Sequence, residues 1–374
     1  MTITKNWAVH PGIHIKEEME ERGWIQRDLA FILGCKEQAV NPILSGKRGI
    51  SPEMAKALAN TFDVPAEFFL NLQKNYELAL AQEPSPGVAI RANMQSKYPV
   101  REMIKRGWLE DTDASLLEAQ ISRFFGVKSV DQVPYLAHAA MRSSYEEREI
   151  PPLQLAWLFR IRQVARSISV PSYSQKCLRD AVTQLQEFMI SPEDTSRVAP
   201  LLAECGIRLV AVEPFAGGKI DGVCLWLDGV NPVIGMSTRY DRIDNFWFVL
   251  RHEIEHVLNG DGKEVEILDD LDGERAGVIG LSEEEILANR AALSFCVPSD
   301  KLDSFILRKQ PYFSEKAVQA FASLVQRHPG IVVGQLQYRL KNYSLLRKYQ
   351  SKTRVFFTTT AVTDGWGQII QTSL

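Results

Sequence analysis

The stretch that most constrains this chain runs from Phe246 to Gly260 and contains two histidines four residues apart, His252 and His256, with Glu253 directly after the first. Residues four apart lie on one face of an α-helix, so both imidazoles can reach a single metal ion. A glutamate placed after the first histidine can reach water at that ion and act as a general base. We therefore predict that His252 and His256 are metal ligands and that Glu253 is catalytic.

The apolar residues of this stretch recur at helical spacing, as Leu250, Ile254 and Val257 illustrate. Asp244 is expected to cap the start of the helix, and Gly260 is placed to end it. The alternative interpretation is a surface helix whose two histidines are solvated.

A catalytic zinc site needs a third protein ligand and one open position. The pattern of residues 282–298 predicts a second helix, on which Glu285 and Asn289 lie four apart on one face. Glu285 is a candidate zinc ligand, and Asn289 is a candidate to orient a ligand histidine from the second shell. Ser282 and Glu285 also fit a capping box, in which the glutamate bonds the start of its own helix. The spacing alone leaves both interpretations open.

Composition narrows the class of protein. The 374 residues are enough for two or three domains, and 45% hydrophobic with 24% charged residues is typical of globular proteins. Five scattered cysteines without a C-x-x-C pair argue against a disulfide framework or a cysteine zinc site, and favour a cytoplasmic protein in a reducing cytosol. We expect no membrane span and no signal peptide, and residues 1–15 are expected to form an extended arm.

Residues 10–80 have a helical rhythm interrupted by glycine. We predict helices over 14–22, 26–34 and 35–46, and a fourth that Ser51 caps with Pro52 at its first position. A short helix, a glycine turn and a second helix with polar outward positions are typical of a helix-turn-helix.

This segment resembles the HigA-type antitoxins of the Xre helix-turn-helix family, most specifically in residues 44–55 and 67–73. The resemblance implies a DNA-binding autorepressor, usually a homodimer, whose partners are double-stranded operator DNA and a ribonuclease toxin. It implies that Lys36, Gln38 and Asn41 face the major groove, with Gln38 and Asn41 suited to an adenine edge. It also implies that Gln26, Lys47 and Arg48 bind phosphates.

Two features qualify the DNA-binding expectation. Pro42 lies inside the recognition helix, where it removes a backbone N–H and is expected to bend the helix. Residues 1–80 hold six Lys and three Arg against eight Glu and two Asp, so affinity must come from local charge and dimerisation. The alternative is a helix-turn-helix that contacts only protein, with DNA binding lost.

The proline-rich segment 83–87 predicts a boundary. Residues 88–200 are predicted to be mostly helical, with helices over 114–125, 152–169 and 173–190, and Gly126 is expected to stop the first of them. Three short strands are then expected at 207–212, 222–227 and 232–237, directly before the histidine helix, and one more at 355–360.

Residues 200–300 resemble the ImmA/IrrE family of metallopeptidase domains, in the histidine motif and in the run from Glu285 to Pro298. The resemblance implies a gluzincin-like Zn²⁺ site of His252, His256 and Glu285, in a domain that cleaves repressor proteins. Glu255 departs from the family pattern, which has a small residue there.

We therefore predict an α+β, mostly α chain with an all-α N-terminal helix-turn-helix domain, a helical middle region and a zincin-like domain with a small sheet. The predicted domains are 1–82 (HigA-like), 83–200 (helical linker), 201–300 (zincin-like peptidase) and 301–374 (C-terminal extension packed on the peptidase). The predicted function is a regulator or antitoxin of a type II toxin–antitoxin-like system whose zinc endopeptidase cleaves a partner regulator or itself. The alternative is a non-catalytic antitoxin whose zincin-like domain only binds a toxin or ligand.

Overall fold

The structure is a computed structural model that describes residues 9–132, 150–261, 263, 267–269 and 282–371. The chain divides into two compact units, Met1–Ser85 and Pro86–Leu374. The finer division of the second unit into three parts stays a prediction. Residues 1–8 of the predicted N-terminal arm lie outside the described residues, and helix already begins at Pro11, inside that predicted arm.

The first unit is helical. Its helices are α1 (Pro11–Glu21), α2 (Gln26–Ile32), α3 (Glu37–Leu44), α4 (Pro52–Phe62) and α5 (Ala66–Leu80). The predicted helices are confirmed with slightly different bounds, and Ser51 caps α4 by accepting from the Met54 N–H. Ile15, Leu29, Val40, Leu58 and Phe69 are fully or almost fully buried in one core.

The second unit begins with the predicted helical region. Its elements are α6 (Pro86–Lys97), α7 (Val100–Lys105), α8 (Ala114–Phe125), α9 (Pro152–Arg166), α10 (Gln175–Leu185), the 3₁₀ turns Gln186–Met189 and Pro192–Arg197, and α11 (Val198–Glu204). The glycine predicted to stop α8 does so: Gly126 ends it in the left-handed region, with φ 65°.

A five-stranded mixed sheet follows, with β1 (Arg208–Val212), β2 (Gly222–Leu227), β3 (Asn231–Met236), β4 (Ile267–Asp269) and β5 (Val362–Asp364). The order is β4-β2-β3-β1-β5; β1 runs parallel to β3 and β5, and β2 runs antiparallel to β3 and β4. The three strands predicted before the histidine helix are confirmed.

The histidine helix is α12 (Ile243–Asn259), and it leads into α13 (Glu283–Cys296), α14 (Ser299–Lys309), α15 (Glu315–Leu324), α16 (Pro329–Leu340), the 3₁₀ turn Arg347–Tyr349 and α17 (Arg354–Phe357). The prediction that Asp244 caps α12 is wrong. Arg242 is the N-cap, and Asp244 instead accepts from its guanidinium at 2.6 and 3.0 Å. Among the described residues, no helix is long and apolar enough to cross a membrane.

Apolar cores cover both faces of the sheet. Successive side chains of a strand point to opposite faces, so a strand can contribute to both cores. Leu209 and Ala211 of β1 belong to the core that contains α12, whereas Val210 and Val212 belong to the core that contains α9. The sheet therefore separates two apolar cores and gives α12 a rigid surface to pack on.

The strand predicted at 355–360 is wrong. The segment opens with the helical turn α17, because the Asp241 carboxylate accepts from the N–H groups of Thr353 and Arg354 at 2.9 and 2.8 Å. Phe357 is buried against Phe246 of α12, and the strand β5 starts only afterwards. A long-range carboxylate thus overrides the strand preference of aromatic and β-branched residues.

The sequence argued against a disulfide framework, but one pair of cysteines is bonded. Cys177 and Cys205 form a disulfide, with Cα atoms 5.2 Å apart, whereas Cys35, Cys224 and Cys296 are thiols. The bridge joins the start of α10 to the end of α11, and a separation of 28 residues gives no local spacing signal.

Two helices of this chain begin with the same tripeptide, His-Pro-Gly. At the start of α1, Nδ1 of His10 accepts from the Gly12 N–H at 3.0 Å, and His328 does the same for Gly330 at the start of α16. A ring nitrogen can accept only while it is deprotonated. Burial lowers the pKa of both histidines, which keeps both caps in the accepting form.

We expect these caps to make the folded chain less stable as pH falls below about 6.5, the ordinary pKa of histidine. There the unfolded chain takes up protons that the folded His10 and His328 resist, so the free energy of unfolding falls by at most about 1.4 kcal/mol per pH unit for each ring. The measurement is chemical unfolding of wild type and of the double variant His10→Asn/His328→Asn at pH 7.5 and 5.5. Asparagine caps without titrating, so an equal loss of stability in both proteins contradicts the prediction.

Candidate functional site

The histidine motif lies in the buried face of α12. The side chains of His252, Glu253 and His256 are inaccessible to solvent, so the surface-helix alternative is wrong. Buried imidazoles and carboxylates are costly unless they bond to one another or to a metal. The helix holds them in place by packing Trp247, Leu250 and Ile254 into the core of the second unit.

Glu285 of α13 completes the cluster. Its carboxylate oxygens lie 3.2 Å from Nε2 of His252 and 3.4 Å from Nε2 of His256, and the two Nε2 atoms are 3.1 Å apart. Ser282 caps α13 with its own hydroxyl, which accepts from the Glu285 N–H at 3.3 Å. The capping alternative therefore does not occupy the Glu285 carboxylate, which faces the two histidines.

These separations fit a zinc ion. Tetrahedral ligands at ~2.0–2.1 Å from zinc lie about 3.3 Å from one another. One ligand atom from each of His252, His256 and Glu285 lies within 4.8 Å of the others, and within the described residues this is the group with metal-binding spacing. Two neutral nitrogens and one carboxylate oxygen are also donors that zinc accepts.

Asp261 is a functional candidate that the sequence analysis missed. Its carboxylate lies 3.0 Å from Nδ1 of His256, and its backbone carbonyl accepts from the Trp226 indole at 2.8 Å. A carboxylate on Nδ1 fixes the tautomer that presents Nε2 to a metal. The sequence feature that could have indicated this role is an aspartate directly after Gly260, the predicted end of the helix, and about one turn beyond His256.

Glu253 lies against the first residue of β2. A Cβ built on Gly222 would come within 1.9 Å of Oε1 of Glu253, so only glycine leaves room for the carboxylate in its present position. Gly222 therefore helps to fix the place of the predicted base.

Two further predicted residues differ in how the structure places them. Glu255 points to Arg251, whose guanidinium donates to it at 2.6 Å, so its extra charge is compensated. Asn289 lies on α13 one turn after Glu285 and is half-buried, and its role in orienting a ligand histidine stays a prediction.

The first unit carries a separate polar surface on α3 and the loop after it. Val40, Ile43 and Leu44 face the core, which turns the opposite side of α3 to solvent. Gly34, with φ 64°, makes the turn between α2 and α3. The exposed residues from the N-cap of α3 to the end of the following loop include five predicted DNA contacts: Lys36, Gln38, Asn41, Lys47 and Arg48.

In comparison with known protein families, residues 15–69 match the helix-turn-helix family HTH_3. Virulence-associated protein I of Dichelobacter nodosus is 31% identical over 84 residues, which cover 22% of this chain and 78% of that protein. The N-terminal unit belongs to this helix-turn-helix family.

Other similar proteins also cover only a part of this chain. Virulence-associated protein A' of Dichelobacter nodosus is 37% identical over 75 residues, 20% of this chain and 65% of that relative, just under two thirds. The solved structure of the Pseudomonas aeruginosa antitoxin HigA with the higBA promoter is 34% identical, covers 24% of this chain and 89% of that chain, and has a TM-score of 0.19.

Gln26, the sixth residue predicted to contact DNA, bonds instead to a residue of the same unit. Gln26, at the start of α2, donates to the Glu37 carbonyl at 3.2 Å, and Arg27 pairs with the Glu37 carboxylate at 2.8 Å. Gln26 thus ties the first turn of α3 to α2. Pro42 lies inside α3 as the sequence indicates, and the helix continues through it to Leu44.

We predict that Asp261→Asn lowers the affinity of the second unit for zinc by about 10- to 100-fold, because an amide no longer holds the His256 ring as a carboxylate does. The measurement is competition for zinc with a chelating dye. Asp300→Asn, which removes a carboxylate from an exposed position on α14, is the matched control. Equal affinities for wild type and Asp261→Asn contradict the prediction.

Proposed function

We propose that this chain is a HigA-type DNA-binding regulator that carries a zinc-dependent endopeptidase site in its second unit. The convergence of His252, His256 and Glu285 beside a buried Glu253 is the observation that carries the enzymatic part. Membership of the helix-turn-helix family, with polar residues exposed on α3, carries the DNA-binding part. The antitoxin role, a ribonuclease toxin as partner and a homodimeric state follow only from the resemblance of residues 10–80 to HigA-type antitoxins.

The DNA-binding role divides between two kinds of contact. Gln38 and Asn41 are exposed on α3 and have the amide groups that pair with an adenine edge in the major groove. Lys47 and Arg48 are exposed in the next loop, where a cation binds phosphate whatever the base sequence. Operator DNA is therefore the proposed partner, read by α3 and held by the loop.

We expect Lys47→Ala/Arg48→Ala to weaken binding to all duplexes alike and to lower the slope of log Kd against log salt by about one per lost contact. Gln38→Ala and Asn41→Ala should instead reduce the preference for specific DNA by roughly 1–3 kcal/mol each. The measurement is fluorescence anisotropy with a duplex from upstream of the protein's own gene and a random-sequence duplex.

Lys16→Ala is the matched control, because it removes an exposed lysine from α1 rather than from α3 or its loop. A wild-type protein that binds neither duplex contradicts the DNA-binding role. Equal binding by Lys47→Ala/Arg48→Ala and wild type contradicts the assignment of the loop.

The peptidase role depends on how α12 and α13 present their side chains. His252, His256 and Glu285 would hold zinc, which supplies Lewis-acid chemistry for attack on a peptide carbonyl when bound. Glu253, beside them on α12, would take a proton from the attacking water and deliver it to the leaving amine. Asp261 keeps His256 in the tautomer that this arrangement needs. The proposed substrate is a partner repressor or this chain itself.

We predict that Glu253→Gln keeps the zinc content of the purified protein and lowers the cleavage rate by at least about 100-fold, the usual contribution of a general base. His252→Ala should lose zinc and activity together. The measurements are metal analysis of the purified chain, and mass spectrometry of new N-termini, both its own and those in a cell extract, after incubation with zinc.

Gly222→Ala is a second variant for the same experiment, because its methyl group occupies the position of the Glu253 carboxylate. We expect normal zinc content and lowered cleavage. A wild type that holds no zinc contradicts the metal site. Zinc binding with cleavage unchanged by Glu253→Gln contradicts the mechanism, and zinc binding without any cleavage favours the binding-only alternative.

A further inference from the structure

The loop 45–50, between α3 and α4, is held through hydrogen bonds of its backbone and not through its two cations. In the part of the first unit that the structure describes, the side chains of Lys47 and Arg48 form no hydrogen bond or ion pair and are exposed. Their backbone N–H groups both donate to the Pro42 carbonyl, at 2.8 and 3.0 Å. The loop is therefore joined to the end of α3, and other residues must hold its far side.

Gln73 of α5 holds that far side. It is 8% exposed, and its Oε1 accepts from the Ile50 N–H at 3.1 Å, while its Nε2 donates to Glu77 at 2.7 Å. A Cβ built on Gly49 would lie 2.7 Å from the Gln73 amide, so the amide lies directly against the loop backbone. A polar side chain buried in this way is costly unless its bonds are made, and here the carbonyl oxygen bonds the loop while the amide nitrogen bonds Glu77.

His10 supports the same loop from the start of α1. Its ring is 7% exposed, packs edge-on against Tyr76 at 4.9 Å, and lies 3.6–3.9 Å from where a Cβ of Gly46 would be. The Nδ1 atom of the same ring accepts from the Gly12 N–H at 3.0 Å. One side chain thus caps α1 and packs against the loop.

We propose that His10 and Gln73 are positioning residues for DNA binding: they lock the loop 45–50 so that Lys47 and Arg48 present their cations to one pair of phosphates. This inference rests on the proposed DNA-binding role. Neither residue touches DNA in this arrangement, because both are buried behind the loop. They strengthen DNA binding because an ordered loop loses less conformational entropy on binding than a flexible loop does.

The magnitude follows from that entropy. Ordering one backbone residue on binding weakens affinity by roughly five- to thirty-fold. We therefore expect Gln73→Met, which keeps the volume and removes the bond to Ile50, to weaken binding of a random-sequence duplex within that range. The salt slope should fall toward that of Lys47→Met/Arg48→Met, because a mobile loop neutralises fewer phosphates.

The experiment uses the full chain, the random-sequence duplex and anisotropy titrations at several salt concentrations, with circular dichroism to establish that each variant is folded. Gln73→Met is also introduced into the Lys47→Met/Arg48→Met protein to form a double-mutant cycle. His10→Asn tests the second support: asparagine still caps α1 but is too short to reach the loop. His14→Asn is the matched control, since His14 contacts Glu17 and Phe68 rather than the loop.

The expected result is weaker binding and a lower salt slope for Gln73→Met and His10→Asn in the wild-type background, with no further loss in the background that lacks both cations. Folded variants with wild-type affinity and slope overturn the inference while DNA binding by the wild type stands. An equal loss from Gln73→Met in both backgrounds also overturns it, since the effect then does not pass through the loop. A wild type that binds no DNA removes the proposed function and this inference together.

Discussion

The second unit depends on the placement of three ionisable side chains in the buried face of one helix. His252, Glu253 and His256 are all inaccessible to solvent, and such groups destabilise a fold unless their surroundings satisfy them. The rest of the unit supplies those surroundings. α13 brings Glu285 to the two histidines, the segment after α12 brings Asp261 to His256, and β2 leaves room for Glu253 by placing Gly222 against it.

The first unit uses buried polar groups in a related way, but for shape rather than chemistry. His10 and Gln73 are almost fully buried. Gln73 accepts from the Ile50 N–H of the basic loop, and the His10 ring packs against Gly46 of the same loop. In both units a polar side chain in the interior determines where a functional group on another segment lies. Such contacts join residues that are far apart in the sequence. Gln73 of α5 bonds Ile50 in the loop before α4, and Asp364 of β5 pairs with Arg160 of α9.

Local sequence pattern was enough to predict much of the fold and some residues of each candidate site. Helical spacing predicted α12 and placed His252 and His256 on one side, and glycine positions predicted the ends of α8 and α12. Local pattern failed where a residue far away in the chain determines the local structure. Thr353 and Arg354 begin a helical turn because Asp241, more than a hundred residues away, accepts their N–H groups, and the Cys177–Cys205 bridge has no spacing rule.

The sequence by itself determined the periodic elements, the i, i+4 pair of histidines and the exposed polar positions of α3, because these follow from the geometry of a single helix. It left Glu285 equally suited to a helix cap or a metal ligand, since both interpretations need the same spacing. Only the tertiary structure decided that the carboxylate meets His252 and His256, because that contact depends on how α13 packs on α12. The same holds for Asp261, Gly222 and Gln73, whose partners lie on other segments of the chain.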